Sequence, residues 1–157
     1  MPLQTGDAAP DFTLYDSDTQ PFALSDQLDD GPVVLLFFPG AFTSVCTNEL
    51  NTVANDLNSY NGAQIVGVST DSPFALGEFK KVHSLPFKLL SDHDAEVSAA
   101  FGAKYDNDFT PMKLDRISKR AAFVIGRDGR VRYAEVLDNA GELPDLEAVQ
   151  STISDLS

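Results

Sequence analysis

A single cysteine stands in this chain of 157 residues, and that scarcity excludes more than it permits. Cys46 has no partner for an internal disulfide, no second thiol for a Cys-x-x-Cys redox pair and no companions for a cysteine-rich zinc site. Positive charge is scarce too. The chain has 11 Lys and Arg against 24 Asp and Glu, a formal net charge of −13. Such a surface repels phosphate backbones and anionic lipids, so neither nucleic acid nor membrane is an expected partner. No run approaches the roughly 18 consecutive apolar residues that span a bilayer. Residues 1–10 lack the basic start and apolar stretch of a signal peptide, so a cytoplasmic location is expected. Internal repeats, low-complexity tracts and linkers are absent from the sequence. Residues 1–157 therefore read as one domain, long enough to bury a core without staples.

What is present has the pattern of an α/β domain. Residues 12–15 and 21–24 read as an N-terminal hairpin. The continuous apolar run 33–38 reads as a strand buried on both faces. Leu50, Val53, Ala54 and Leu57 recur at helical spacing, and residues 65–68 form the next apolar strand. Asp71 and Ser72 before Pro73 predict a capped helix with Ala75, Phe79 and Val82 on its inner face. Val97, Ala100 and Phe101 mark a shorter helix ended by Gly102. Residues 121–125 and 131–136 pair across the turn Asp128-Gly129, and Pro144 opens a last helix with Leu146, Val149 and Ile153 inward. Strands alternating with helices need crossovers, hence a central mixed sheet flanked by helices on both faces. Such sheets place their sites in the loop beyond a central strand's carboxyl end. Cys46 lies in that loop or in the first turn of the helix after it.

Thr43 or Ser44 can cap that helix. The unpaired N–H groups and positive dipole end of a first turn favour a thiolate over a thiol. An unperturbed cysteine, with a pKa of about 8.5, is only a few per cent thiolate at neutral pH. A helix start and a nearby cation can bring such a group to about 3.5–7.5. Attack by such a thiolate also needs donors that align the bond to be broken and positive charge for the leaving group. Thr43, three residues before Cys46, can offer a hydroxyl. Seven of the eleven basic residues, Lys113, Arg116, Lys119, Arg120, Arg127, Arg130 and Arg132, lie close together in sequence and can offer a guanidinium. Against this stands the plain alternative that a lone cysteine is a small buried hydrophobe.

Pro39-x-x-x-Thr43-x-x-Cys46 resembles the active-site motif of the peroxiredoxins, thioredoxin-fold thiol peroxidases. Further blocks follow in that family's order. They are residues 6–14, residues 67–72 with 86–92, and Arg120-Ala121-Ala122-Phe123-Val124-Ile125 with Asp128-Gly129. The resemblance implies a thioredoxin-like fold with an N-terminal hairpin extension and reduction of hydrogen peroxide or alkyl hydroperoxides. It makes Cys46 the peroxidatic cysteine and Thr43 a partner of sulfur and peroxide. Pro39 becomes the thiolate's shield and Arg120 its activating cation, with Arg116 as a rival for that role. Glu49 falls where members carry a residue tied to the active-site arginines. No metal, flavin or haem is implied, since sulfur carries both electrons, and a homodimer is expected. One branch of the family has a resolving cysteine five residues after the first, where this chain has Asn51, and others have one near the C-terminus. The one-cysteine pattern implies an external thiol reductant, a small molecule or a thioredoxin- or glutaredoxin-like protein.

Other residues suggest weaker chemistry. His93 between Asp92 and Asp94 could suggest a metal, but acidic residues before a helix read first as caps. A cysteine hydrolase would need His83 or His93 as its base, and the spacing supports neither. Asp106-Asn107-Asp108 reads as a turn. Two rivals to the peroxidase remain: a thioredoxin-fold binding module with an inert cysteine, and a redox sensor whose sulfenate signals to a partner.

Overall fold

The computed structural model describes residues 3–106 and 114–156. Seven strands form one sheet: β1 (Thr13–Asp16), β2 (Pro21–Ala23), β3 (Val33–Phe37), β4 (Gln64–Ser69), β5 (Lys88–Ser91), β6 (Arg120–Ile125) and β7 (Val131–Leu137). Their order across the sheet is β2-β1-β5-β4-β3-β6-β7. β3, β4 and β5 run parallel, joined by the crossover helices α2 (Ser44–Ala54) and α3 (Pro73–His83). The N-terminal hairpin docks antiparallel on β5, and β6 and β7 continue the sheet antiparallel on the other side of β3. The short helices α1 (Leu24–Gln27) and α4 (Glu96–Ala100) and the closing helix α5 (Leu146–Leu156) complete the fold.

β3 explains why the sheet has two cores. All five of its residues are buried, and successive side chains point to opposite faces. Val34 and Leu36 pack with Leu50 and Val53 of α2, Leu76 and Phe79 of α3, and Val149 and Ile153 of α5. Val33, Leu35 and Phe37 pack with Phe101, Phe123, Phe12 and Phe22. The three longer helices therefore share one face. The other is closed by shorter pieces and by aromatic rings, with Phe37, Phe101 and Phe123 in mutual contact at centroid distances of 5.2–5.7 Å.

Several local expectations need correction. Helix α2 stops at Ala54, and Leu57 belongs to a separate 3₁₀ turn, Leu57–Tyr60. Asn55-Asp56 intervene, and residues of that kind bond to nearby backbone and so favour helix ends. Ser72 does cap α3, accepting from Ala75 N at 3.2 Å. The inner face of α3 is Leu76 and Phe79, whereas Val82 is 56% exposed. Val82 lies about 120° round the helix from Leu76 on the opposite side of Phe79, outside a stripe centred on that pair. Ala100 is exposed, and buried Ser98 takes its place on α4. The closing helix begins at Leu146 rather than Pro144, with Asp145 Oδ1 accepting from Ala148 N at 3.1 Å. Asn107, Asp108 and Lys113 lie outside the described residues.

Candidate active site

β3 gives its last ladder bond just past its end, where Phe38 N donates to Val68 O at 2.9 Å. The chain then leaves the sheet through buried Pro39 and the loop 40–43, and enters α2. Thr43 occupies the N-cap position with extended backbone, φ −84° and ψ 150°, but makes no side-chain cap bond. Its hydroxyl donates instead to Gly40 O at 2.8 Å, which closes the loop on itself. Cys46 is the third helical residue and is 1% exposed. Glu49 follows one turn later on the same face of the helix and is fully buried.

Arg120 reaches this point from 74 residues away because of strand pairing. β6 runs antiparallel to β3 with Phe37 opposite Ala121, so β6 begins where β3 ends. The buried guanidinium has three partners. Nη1 donates to Glu49 Oε1 at 2.6 Å, and Nη2 donates to Cys46 Sγ at 3.2 Å and to Ala140 O at 3.0 Å. Beside the sulfur lies a cavity of about 230 Å³, lined by Pro39, Thr43, Val45, Arg120, Ala140 and Gly141 among others. Its walls are mainly apolar. The structure thus brings Cys46, Thr43, Arg120 and Pro39 to one cavity. Arg116 is exposed and does not line it.

The charges in this pocket oppose one another. Burial pushes Glu49 up to about 7, against the pull of Arg120. Burial would lower Arg120, but the charges of Glu49 and Cys46 and their hydrogen bonds hold it above its ordinary value. The guanidinium is charged at any physiological pH. Glu49 Oε2 and Arg120 Nε have no partner among the described residues. Because Nη2 turns toward Sγ and Ala140 O, the guanidinium meets Glu49 through one nitrogen, not as a bidentate fork. Unmade bonds of this kind cost about 1–3 kcal/mol each, so the arrangement is held against stability.

That opposition has a measurable consequence. Glu49 binds its proton more tightly in the folded chain (about 7) than at its ordinary value of 4.5. Its stabilising contribution is complete below about pH 4.5 and is lost as pH rises through 7, at up to about 1.4 kcal/mol per pH unit. Glu49→Gln keeps an oxygen for Nη1 but removes the titration. In urea unfolding, the variant should gain stability relative to the parent between pH 5 and pH 8. An equal difference at both pH values would exclude this linkage.

The remaining candidates are placed elsewhere. His83 packs against Phe42 and Phe79, and no histidine lines the Cys46 cavity among the described residues. His93 is exposed, while Asp92 caps α4, accepting from Val97 N, Ser98 N and Ser98 Oγ. The basic cluster disperses. Lys119 pairs with Asp138, Arg132 with Asp128, and Arg130 donates to Gly6 O. Two contributors escaped the sequence. Ala140 acts through its carbonyl, which carries no side-chain signal. Asp71 read as a helix-start residue, yet it also accepts from Ala41 N in the loop before Cys46.

A thioredoxin-like sheet that presents one buried thiol, bonded to a guanidinium in the first turn of a helix, defines a thiol-based redox protein. The AhpC/TSA family matches residues 5–134. Peroxiredoxin Bcp of Escherichia coli strain K12 is 34% identical over 134 residues, covering 84% of this chain and 85% of that one. The crystal structure of peroxidoxin BcpB from Mycobacterium tuberculosis superposes with a TM-score of 0.86 at 31% identity, covering 99% of each chain. A peroxiredoxin-like protein from Aquifex aeolicus shares the fold at a TM-score of 0.86 and 23% identity, over 100% of this chain and 90% of that one. The chain belongs to the AhpC/TSA family, the peroxiredoxins. It is a thiol-dependent peroxidase with a single cysteine.

Proposed function

We propose that Cys46 is the peroxidatic nucleophile and that Arg120, Thr43 and Pro39 form the surroundings in which it reacts. The observation that carries this is the bond from Arg120 Nη2 to Cys46 Sγ at 3.2 Å beside the cavity. The Cys46 thiolate attacks one oxygen of a hydroperoxide ROOH. The S–O bond forms as the O–O bond breaks, sulfur is oxidised by two electrons to the sulfenic acid, and RO⁻ leaves and takes a proton from water. Arg120 stabilises the charge passing from sulfur to the leaving oxygen without needing to reorganise. Pro39 limits water at the sulfur. Thr43 presents its hydroxyl oxygen at the cavity as an acceptor for the peroxide proton, its own proton being given to Gly40 O.

With one cysteine, regeneration falls to an external thiol R′SH. It displaces water from the sulfenic acid to give a mixed disulfide. A second R′SH then releases the thiolate and R′SSR′. The single-domain organisation, the cytoplasmic location and the homodimer rest on the sequence and the family resemblance; sedimentation as monomer only would remove the last.

The test is rapid mixing with hydrogen peroxide. One equivalent should be consumed without added thiol, and sustained consumption should follow when a thiol is supplied. An unreactive sulfur would point to an inert binding module, and a single equivalent with no turnover by any thiol to a sensor.

A further inference from the structure

We infer that Asp71 is a positioning residue of the peroxidase site, the latch that holds the loop 40–43 against the sheet and so keeps the Cys46 cavity in its reactive shape. The proposal rests on Cys46 being the reacting sulfur.

The latch follows from topology. β3 and β4 are parallel neighbours, with Phe37 opposite Val68, so the loops beyond their carboxyl ends lie side by side. The loop beyond β3 carries Pro39 and Thr43, and the loop beyond β4 carries Asp71. Asp71 Oδ2 accepts from Ala41 N at 2.8 Å and from Ser69 Oγ at 2.7 Å. The residue is fixed from behind as well. Its N–H donates to Ser69 Oγ at 3.2 Å, and its carbonyl accepts from Ser91 Oγ on β5 at 2.6 Å. Asp71 is therefore anchored by two sheet strands, β4 through side chain and backbone and β5 through its carbonyl, while its carboxylate grips the loop.

The loop needs a grip. Phe42, next to Ala41, sits at φ +65°, a left-handed conformation that a side chain makes unfavourable. Its ring is 54% exposed and rests edge-on against Phe79, with centroids 5.1 Å apart. The bond from Thr43 Oγ1 to Gly40 O ties the loop to itself and not to the sheet. Among the described residues, the bond from Ala41 N to Asp71 is the one hydrogen bond of residues 40–43 that crosses to another strand's loop. Pro39, just before the loop, and Thr43, its last residue, both wall the cavity. Once Asp71 lets go, the strained turn can relax, the cavity loses its shape, and the sulfur, 1% exposed in this structure, becomes easier to reach.

Peroxide attack and sulfenate capture should therefore respond in opposite directions, an outcome that general destabilisation does not produce. In Asp71→Ala, oxidation of Cys46 by hydrogen peroxide should slow on the order of 10- to 100-fold, the scale of a misplaced reacting group. Capture of the sulfenate by dimedone should accelerate severalfold. Asp71→Asn supplies an amide oxygen for the same two bonds, and should restore most of the oxidation rate. Ser69→Ala leaves the carboxylate without its support. It should shift both rates in the same directions by less, and it replaces Asp71→Ala should that variant not fold. Near-UV circular dichroism of each variant reports the fold. The latch is overturned if Asp71→Ala and Ser69→Ala oxidise at the parent rate, if both rates fall together, or if Asp71→Asn is as slow as Asp71→Ala. A parent protein that peroxide does not oxidise would overturn the role of Cys46 instead.

Discussion

Cys46→Ser is expected to abolish peroxide consumption while leaving a folded protein. The side chain is nearly isosteric, and its hydroxyl oxygen can still accept from Arg120 Nη2, as the sulfur does at 3.2 Å. What disappears is the chemistry. A serine hydroxyl is a weak nucleophile at its own pKa, and among the described residues no general base lines the cavity to activate it. Nor can oxygen take the two-electron step that turns a thiolate into a sulfenic acid. Peroxide loss should fall to the rate without protein. The stability change should stay within about 2 kcal/mol, since the new buried hydroxyl is hydrogen-bonded. Parallel measurements of peroxide loss and of the urea midpoint check both halves. Residual turnover in the serine variant would move the reaction away from Cys46, because the chain has no second thiol to take it over.

Much of this could be read in the sequence because strong local signals agreed with the global fold. The run 33–38 had to be a central strand, and Cys46 had to lie beyond its carboxyl end, since apolar continuity and helical spacing left few alternatives. The resemblance of Pro39-x-x-x-Thr43-x-x-Cys46 to a family motif pointed to three residues that line one cavity in the structure. Three features leave no trace in a one-dimensional pattern. Phe79 of α3 lies inward as expected, but Val82 does not and Leu76, six residues earlier, does, because one-dimensional periodicity cannot show where the neighbouring elements leave room. The hydroxyl of Thr43 was expected at the sulfur, but its one proton is given to Gly40 O, a choice that depends on the conformation of the loop. Backbone partners such as Ala140 O, and contacts between adjacent loops such as Asp71 with Ala41, carry no residue-type signature. They appear only once strand order is known. The same is true of Arg120. Its identity could be guessed among the basic residues of its region, but its place depends on β6 pairing antiparallel with β3.

Removing the Arg120 guanidinium is expected to separate catalysis from stability, provided Glu49 is treated with it. Arg120→Ala alone deletes the donor to sulfur and also strands Glu49, which is fully buried, without the guanidinium that its Oε1 accepts from. Breaking a buried pair on one side costs about 3–5 kcal/mol, so slow oxidation in that variant could be dismissed as damage to the fold. The double variant Arg120→Met/Glu49→Leu removes both charges and fills the space with apolar atoms of similar volume, a replacement that is often neutral or stabilising. It also removes the two orphaned atoms, Glu49 Oε2 and Arg120 Nε. The double variant should therefore unfold at or above the parent's denaturant midpoint. Its Cys46 should react with hydrogen peroxide about 10²–10³-fold more slowly, the scale for losing one preorganised donor at a developing charge. The two residues are in contact, so their effects on stability should be strongly non-additive, while the loss of rate should follow Arg120 alone. If the double variant were stable and reacted at the parent rate, the guanidinium would be a structural partner of Glu49 and no part of the peroxide chemistry.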